Sequence, residues 1–485
     1  MKVLFIHGFI RGQGSLSYLE GIASISAVLK KRGHQTCLIY YFNTESYSQI
    51  ETEILKFHPD IIAFSAVTAI FHEIKKISRL IKKKFPHIFT ICGGVHTTLA
   101  PEEFSHAYSL DAICLGEGEY ALAELADKLQ KGKNYYSIKG LWLRKGRKII
   151  KNSNREIIKN LDSLPFPDRD LFVRNGHLWL NSLPYGLNEE KGLEFILSRG
   201  CPFNCTYCSN HALKKFYNNF NNSLYVRFKS PKRAIKEIEL AVKKYGADFL
   251  LFHDDTFTLN RIWLNTFLEY YQKINLPFIC NIRADTVDGI IMSKLKNAGC
   301  RAVFIGVECG DEYLRKHLLD RRMSNESIIN AFRLAKKFNL QTLAFIMMGF
   351  PDETPEIFLQ TVKLFAHINP NQHFLNIFYP YPKTKLWQIC KKRKIIGKQR
   401  KNFRERFDTI LNIPEFPRKD ILYYYRNFMQ LVELSRNKGS GIKGIHRRLL
   451  LYLLSKPPSN NFYVFCQKIF HFDQGVLNFL KTVVN

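Results

Sequence analysis

Residues 193–210 read LEFILSRGCPFNCTYCSN: a short apolar run, then a loop carrying three cysteines. The run is bounded by Ser198-Arg199-Gly200, which predicts a buried strand emptying into a tight turn. Cys201, Cys205 and Cys208 on one loop can turn their thiolates toward a common centre. Thiolate clusters select soft metals, notably iron–sulfur clusters and zinc. Structural zinc would need a fourth ligand, and no second cysteine pair accompanies this one. Three ligands on a four-iron cube would instead leave one iron open to a substrate or cosubstrate.

Downstream of the loop the rhythm is α/β. Strands are expected at 193–198, 248–252, 278–283, 301–307, 342–348 and 373–378. Helices are expected at 231–245, 260–273, 286–297, 324–338 and 354–367. Six strand–helix steps in this span predict a partial (β/α)6 barrel of the TIM type, with chemistry on the loops after the strands. A second open sheet would have the same periodicity.

Upstream, short and nearly all-apolar runs alternate with amphipathic segments. Strands are expected at Val3–Ile6, Thr36–Ile39, Ile61–Phe64, Ile88–Ile91 and Ala112–Cys114. Helices are expected at Leu16–Lys31, Glu45–Phe57, Glu73–Lys84 and Tyr120–Leu129. This is the pattern of a parallel sheet covered on both faces, a doubly wound Rossmann-like domain. Its ligand crevice should lie at the C-terminal strand ends, at Gly8–Gly14, Ser65–Thr68, Gly93-Gly94 and Gly116–Glu119. Gly8, Gly12 and Gly14 do not have the spacing of a GxGxxG dinucleotide loop. Residues 131–190 read as a small hairpin followed by the proline-rich connector LDSLPFPDRDLF.

The chain has 485 residues, 46% of them hydrophobic, which excludes wholesale disorder. Its 11 cysteines are too sparse for a secreted disulfide scaffold. MKVLFIHGF reads as a first strand rather than a signal peptide. No stretch reaches the length of a membrane span. A cytoplasmic location, with reduced thiols free to ligate metal, is the expectation.

The cysteine loop resembles that of the radical S-adenosylmethionine (SAM) family, including Tyr207 before the third cysteine. The resemblance implies a 4Fe-4S cluster held by Cys201, Cys205 and Cys208. SAM would bind the open iron and yield a 5'-deoxyadenosyl radical. FLLFHDDTFTLN (249–260) resembles the family's second strand segment, implying Asp254 or Asp255 as a cosubstrate ligand. CNIRADT places Arg283 near the cosubstrate carboxylate, or in a rim bridge to Asp285. AGCRAVFIGVECG offers Glu308 for a ribose or amino group, and IMMGFPDET offers Gly349 for close approach to adenine.

ICGGVHTTLAPEEF and DAICLGEGE resemble the cobalamin-binding domain fused to one large radical SAM subgroup. By that resemblance Ser65, Thr68, Gly93, Gly94, Glu117 and Gly118 line the corrin and its nucleotide tail. The cobalt-ligating Asp-x-His-x-x-Gly pattern of the wider cobalamin superfamily is absent; His7, His72 and His96 do not sit in it. The resemblance implies cobalamin as a third cofactor and an external electron donor such as flavodoxin or ferredoxin. The implied organisation is a cobalamin-binding domain at 1–135, hairpin and linker at 136–190, a radical SAM core at 191–385, and a mostly helical C-terminal region at 386–485.

The expected activity is methyl transfer from methylcobalamin to an unactivated carbon. Cyclising, oxidising or ring-rearranging chemistry with the same cofactors is the alternative. An RNA methylthiolating enzyme would need three further cluster cysteines, and the flanks of Cys37, Cys92 and Cys114 match the cobalamin-type segments instead. The chain carries a formal charge of +30, and residues 383–485 hold 22 Lys and Arg against 6 Asp and Glu. With aromatic and apolar runs at 423–429, 449–454 and 462–472, this tail suits a lipid or anionic small-molecule substrate. It equally suits peripheral contact with the inner membrane face, or ordinary helices whose basic stems cover a core. No nucleic-acid recognition module is present.

Overall fold

In the first sheet the apolar runs of the N-terminal third become strands β1 (Lys2–Gly8), β2 (Gln35–Tyr41), β3 (Ile61–Ser65), β4 (Phe89–Gly93) and β5 (Ala112–Cys114). A hairpin, β6 (Leu141–Lys145) and β7 (Lys148–Lys151), follows. The computed structural model describes residues 1–8, 18–41, 47–173, 191–218, 225–400 and 403–436. The strand order is β2-β1-β3-β4-β5-β6-β7. The first five strands pair in parallel, as their all-apolar sequences predict. The hairpin pairs antiparallel on β5, so it extends this sheet rather than forming part of a separate linker.

The helices Tyr47–Phe57 and Phe71–Lys84 bury Ile50, Ile54, Ile74, Ile77 and Ile81 against Leu4, Ile6, Ile62 and Phe64 of the strands. Each such side chain contributes about 1.5–3 kcal/mol relative to exposure. Helix Glu20–Lys31 packs against Glu119–Gln130. The expected helix start at Leu16 and the glycines at 12 and 14 fall outside the described residues. In the register, Ser65 at the end of β3 lies opposite Gly93 at the end of β4.

The second sheet comprises β8 (Gly192–Phe195), β11 (Phe249–Phe252), β12 (Phe278–Ile282), β13 (Cys300–Glu308), β14 (Gln341–Met348) and β15 (Gln372–Ile377), in that order. Between β8 and β11 stands a two-stranded antiparallel ribbon, β9 (Ser198–Arg199) with β10 (Arg227–Phe228). The expected strand 193–198 therefore stops at Phe195. The Leu197 N–H turns to the Asp254 carboxylate, and Ser198-Arg199 joins the ribbon. Adjacent pairs β8–β11, β11–β12 and β14–β15 are parallel. This is the partial barrel anticipated from the sequence.

Helix starts are marked by side-chain caps: Ser230 accepts from Arg233 N–H, Asn260 from Trp263, Asp288 from Ile291 and Thr354 from Ile357. Such caps contribute about 1 kcal/mol each. The Asp288 cap fixes the start of helix Gly289–Asn297, three residues later than the periodicity suggested.

The chain forms two compact units. The first holds residues 1–304, 338–340 and 380–389, and the second holds 305–337, 341–379 and 390–485. In the second, Tyr424 and Phe428 from the aromatic run at 423–429 are buried, with ring centroids 5.8 and 6.0 Å from Phe358. This part of the tail is core rather than a lipophilic surface. Arg393 of the KKRK run is paired bidentately with Asp352 at 2.6 and 3.0 Å. The runs at 449–454 and 462–472 lie outside the described residues.

Candidate functional site

A cavity of about 420 Å3 opens within the first unit where the C-terminal ends of β3, β4 and β5 meet the cysteine-loop side of the barrel. From the sheet come Ser65, Gly93, Gly94, Glu117 and Gly118, five of the six residues assigned by resemblance to cobalamin. The sixth, Thr68, stands in a 3-10 turn after β3, hydrogen bonded to His96 at 3.3 Å, and does not line the cavity. Thr98 lines it instead, accepting from the Gly116 N–H at 2.9 Å and donating to the Gly94 carbonyl at 2.9 Å.

Gly93 and Gly94 have different reasons to be glycine. A Cβ on Gly93 would meet only the Cys114 Cβ, at 3.6 Å, so protein packing alone leaves room there for a ligand. Gly94 has φ +103, and a Cβ would stand 2.6 Å from the Ala66 carbonyl oxygen and 2.8 Å from its nitrogen. The backbone itself therefore demands glycine at 94. The carboxylate of Glu117 is engaged by Arg199 at 2.8 Å, Arg227 at 2.9 Å and the Ile158 N–H at 2.6 Å. It lines the cavity as a fixed wall rather than as a free acceptor.

The cysteine loop follows the β9 strand, and Ser198, Arg199 and Gly200 line the same cavity together with Asn210 and Asp255. Cys205 is buried, and Cys201 and Cys208 are half-buried. Burial pushes the Cys201 thiol up and that of Cys208 to about 12, against which the backbone N–H groups of Phe203 and Asn210 favour the thiolates. Arg283 Nη1 lies 3.7 Å from the Cys205 sulfur, and its guanidinium stacks 3.9 Å from the Phe203 ring centroid. Three thiols with N–H and guanidinium donors around them fit an anionic iron–sulfur cluster. Among the described residues no three His, Cys, Asp or Glu side chains converge on a single-ion site.

The paired acids divide their tasks. Asp254 is buried and accepts from the Leu197 N–H at 3.1 Å and from the Ser198 hydroxyl. Its carboxyl is pushed up to about 6 by desolvation, and it serves the turn into the ribbon. Asp255 opens to the cavity and accepts from Asn210 at 2.9 Å, while the surrounding protein mass pushes its carboxyl up. Of the two, Asp255 is the one that faces the cavity. Arg283 is held by both oxygens of Asp285, at 2.6 and 3.0 Å, the rim bridge that the sequence also allowed. Glu308 ends β13 and Gly349 directly follows β14, both in the second unit. Glu308 takes a left-handed φ of +66, a strained conformation for a glutamate that is worth about 1–3 kcal/mol.

Sequence reasoning passed over His253 and Tyr225, which also line the cavity. His253 Nε2 lies 2.6 Å from an oxygen of Glu194, a buried acid on β8. The one signal for His253 was its place beside the acid pair, in FHDD.

With this geometry in view, the sequence matches two family models, the B12 binding domain over residues 19–126 and the Radical SAM superfamily over 195–365. The chain therefore carries a B12 binding domain followed by a radical SAM domain. The cofactors that follow are a 4Fe-4S cluster, SAM and cobalamin. The chain is 26% identical over 442 residues to an uncharacterized methyltransferase of Pyrococcus horikoshii, covering 89% of this chain and 93% of that one. It is 25% identical over 405 residues to the anaerobic magnesium-protoporphyrin IX monomethyl ester cyclase of Rubrivivax gelatinosus, covering 80% of this chain and 70% of that one. Among solved structures it resembles the radical SAM methyltransferase TsrM of Kitasatospora setae, determined with cobalamin and a [4Fe-4S] cluster bound. That likeness has a TM-score of 0.63 at 14% identity, covers 85% of this chain and 82% of that chain, and speaks to fold.

Proposed function

We propose that this radical SAM enzyme is a cobalamin-dependent methyltransferase acting on an unactivated carbon of a small-molecule substrate. The observation that carries the reading is the single cavity walled on one side by Ser65, Gly93 and Gly118 and on the other by Gly200, Asn210 and Asp255. A B12 binding domain and a cysteine loop opening on one space suit a substrate that must meet both cofactors. When bound, the cluster supplies the electron that splits SAM and cobalamin supplies the methyl group.

The chain's own residues hold and orient. Cys201, Cys205 and Cys208 would ligate the cluster, and Arg283 beside Cys205 offsets its negative charge. Asp255, steadied by Asn210, would take the SAM ammonium. Apolar walls from Ile25, Ile91, Leu122 and Leu213 exclude water from the reacting centre. The substrate class remains a small molecule with apolar surface, and reduction would come from a flavodoxin- or ferredoxin-like donor.

Among the described residues no helix is long and apolar enough to cross a membrane. Contact of the basic tail with an anionic membrane surface is the part of the reading carried by charge alone.

The test is anaerobic incubation with SAM, hydroxocobalamin, a reductant and a metabolite extract, followed by high-resolution mass spectrometry. A product heavier by one methylene unit, labelled from methyl-deuterated SAM, is expected. The 25% identity to a cyclase favours a second reading, in which the product instead loses hydrogen or gains oxygen.

A further inference from the structure

Arg199 ends the ribbon strand β9, two residues before Cys201. Its guanidinium donates from Nη1 to Glu117 at 2.8 Å and from Nη2 to Glu119 at 2.6 Å. Nη2 also lies 3.3 Å from the Ser24 hydroxyl, which itself donates to Glu119 at 2.8 Å. Glu117 and Glu119 belong to the loop Gly116–Glu119 that follows β5 and lines the cavity. The partner ribbon strand repeats the link, because Arg227 donates to both oxygens of Glu117, at 2.9 and 3.0 Å. The side chains of Arg199, Glu117 and Glu119 are only 21%, 13% and 4% exposed.

Burial alone would push Glu119 up, but the Arg199 guanidinium and the hydrogen bonds around it hold its carboxyl below the ordinary range. Ion pairs this sheltered are little screened by salt, and loss of one partner leaves an uncompensated charge. A separate packing contact ties the same two loops. The hydroxyl of Tyr217, on the helix after the third cysteine, comes so close to Gly116 that a Cβ there would stand 2.7 Å from it.

We propose that Arg199 is a positioning residue that couples cobalamin occupancy to iron–sulfur cluster assembly, by holding the Gly116–Glu119 loop and the start of the cysteine loop in one shared placement. The inference rests on the cobalamin-dependent reading. A cofactor that fixes either loop lowers the ordering cost met by the other, and such a coupling is reciprocal. Arg227 keeps both oxygens of Glu117 paired when Arg199 is altered, so Arg199 can be changed without stranding that acid.

The experiment titrates hydroxocobalamin anaerobically into the full chain, with and without a reconstituted cluster. It compares wild type, Arg199→Lys and the paired change Arg199→Met with Glu119→Gln, which leaves no unmatched carboxylate. Wild type is expected to bind hydroxocobalamin at least about fivefold more tightly when the cluster is present, the lower end of measured coupling between sites. The paired variant should show less than a twofold difference, and the lysine variant an intermediate one. The same order should appear in iron incorporated per chain with and without hydroxocobalamin.

Equal affinities in the two wild-type states, or a full wild-type ratio in the paired variant, overturn the proposal. Absence of hydroxocobalamin binding in both wild-type states overturns the cobalamin-dependent reading and the proposal with it. Should the paired variant fail to fold, Glu119→Gln alone decides, since it retains Arg199–Glu117 and must still reduce the ratio.

Discussion

Replacing Gly93 by leucine separates the ligand crevice from the fold that builds it. Gly93 ends β4 outside the left-handed backbone region, and its absent Cβ would make one ordinary contact, 3.6 Å from the Cys114 Cβ. The rest of a leucine side chain has the 420 Å3 cavity to occupy. Forcing a ligand against an added side chain costs about 1–3 kcal/mol, as overpacking does. The dissociation constant for hydroxocobalamin should therefore rise about 5- to 150-fold. Gly94→Ala is the contrasting change: a left-handed backbone costs an L-residue about 1–2 kcal/mol, and the Cβ meets the Ala66 carbonyl oxygen at 2.6 Å. It should lower the melting midpoint of the protein before any cofactor is added, which a bulkier tryptophan at 94 would do more severely. Equilibrium dialysis with corrin absorbance, read beside a thermal melt, distinguishes the two. Gly93→Leu binding within twofold of wild type, with an unchanged melt, would refute the placement of the corrin at this strand end.

Single replacements of Cys201, Cys205 or Cys208 by alanine should abolish the brown chromophore and 5'-deoxyadenosine formation, whereas Cys300→Ala, buried on β13, should retain both; anaerobic iron analysis and chromatography check this. Lys229 is buried between Glu20 at 3.1 Å and Glu237 at 2.8 Å, so Lys229→Met should destabilise the first unit by about 3–5 kcal/mol, while adding Glu20→Gln and Glu237→Gln should restore most of it in a denaturant melt. Glu353 is fully buried, and desolvation raises its carboxyl from 4.5 to about 8. Its folded form holds the proton more tightly than the unfolded chain, so its contribution is complete below about pH 4.5 and declines by up to about 1.4 kcal/mol per pH unit until pH 8. Hydrogen-exchange protection over 341–368, each rate taken relative to the intrinsic rate at its pH, should fall across that window in wild type, and much less in Glu353→Gln. Replacing Lys391, Lys392 and Lys394 by glutamine, sparing Arg393 and its Asp352 partner, should weaken flotation with anionic liposomes at about 1 kcal/mol per charge; equal flotation of both proteins removes the membrane role.

The two parallel sheets were legible because their strands are buried on both faces, which writes IIAF in the first and FLLF in the second as continuous apolar runs. The cysteine loop was legible because three soft ligands at short spacing have few other uses. What sequence could not resolve is which of two adjacent, similar residues faces the ligand. Asp254 and Asp255 read alike as a carboxylate pair, yet the amide of Leu197 and the hydroxyl of Ser198 claim the first and leave the second open to the cavity. Gly93 and Gly94 read alike as a place for close approach, yet one is needed by the Ala66 backbone and the other is not. Thr68 and Thr98 are equally good hydrogen-bond donors, and only the turn after β3 sends the first to His96.

Long-range pairing was the other hidden quantity. Arg199 and Glu119 stand 80 residues apart, and nothing local in SRG or GEGE marks them as partners. Each reads by itself as an ordinary charged residue beside a glycine. Joined, they place the loop that would carry the corrin against the loop that would carry the cluster, with the Glu119 carboxylate met by Arg199 across the boundary as well as by the Ser24 hydroxyl beside it. That pairing, doubled by Arg227 on Glu117, holds both loops at one cavity, the arrangement that two cofactors sharing one substrate would need.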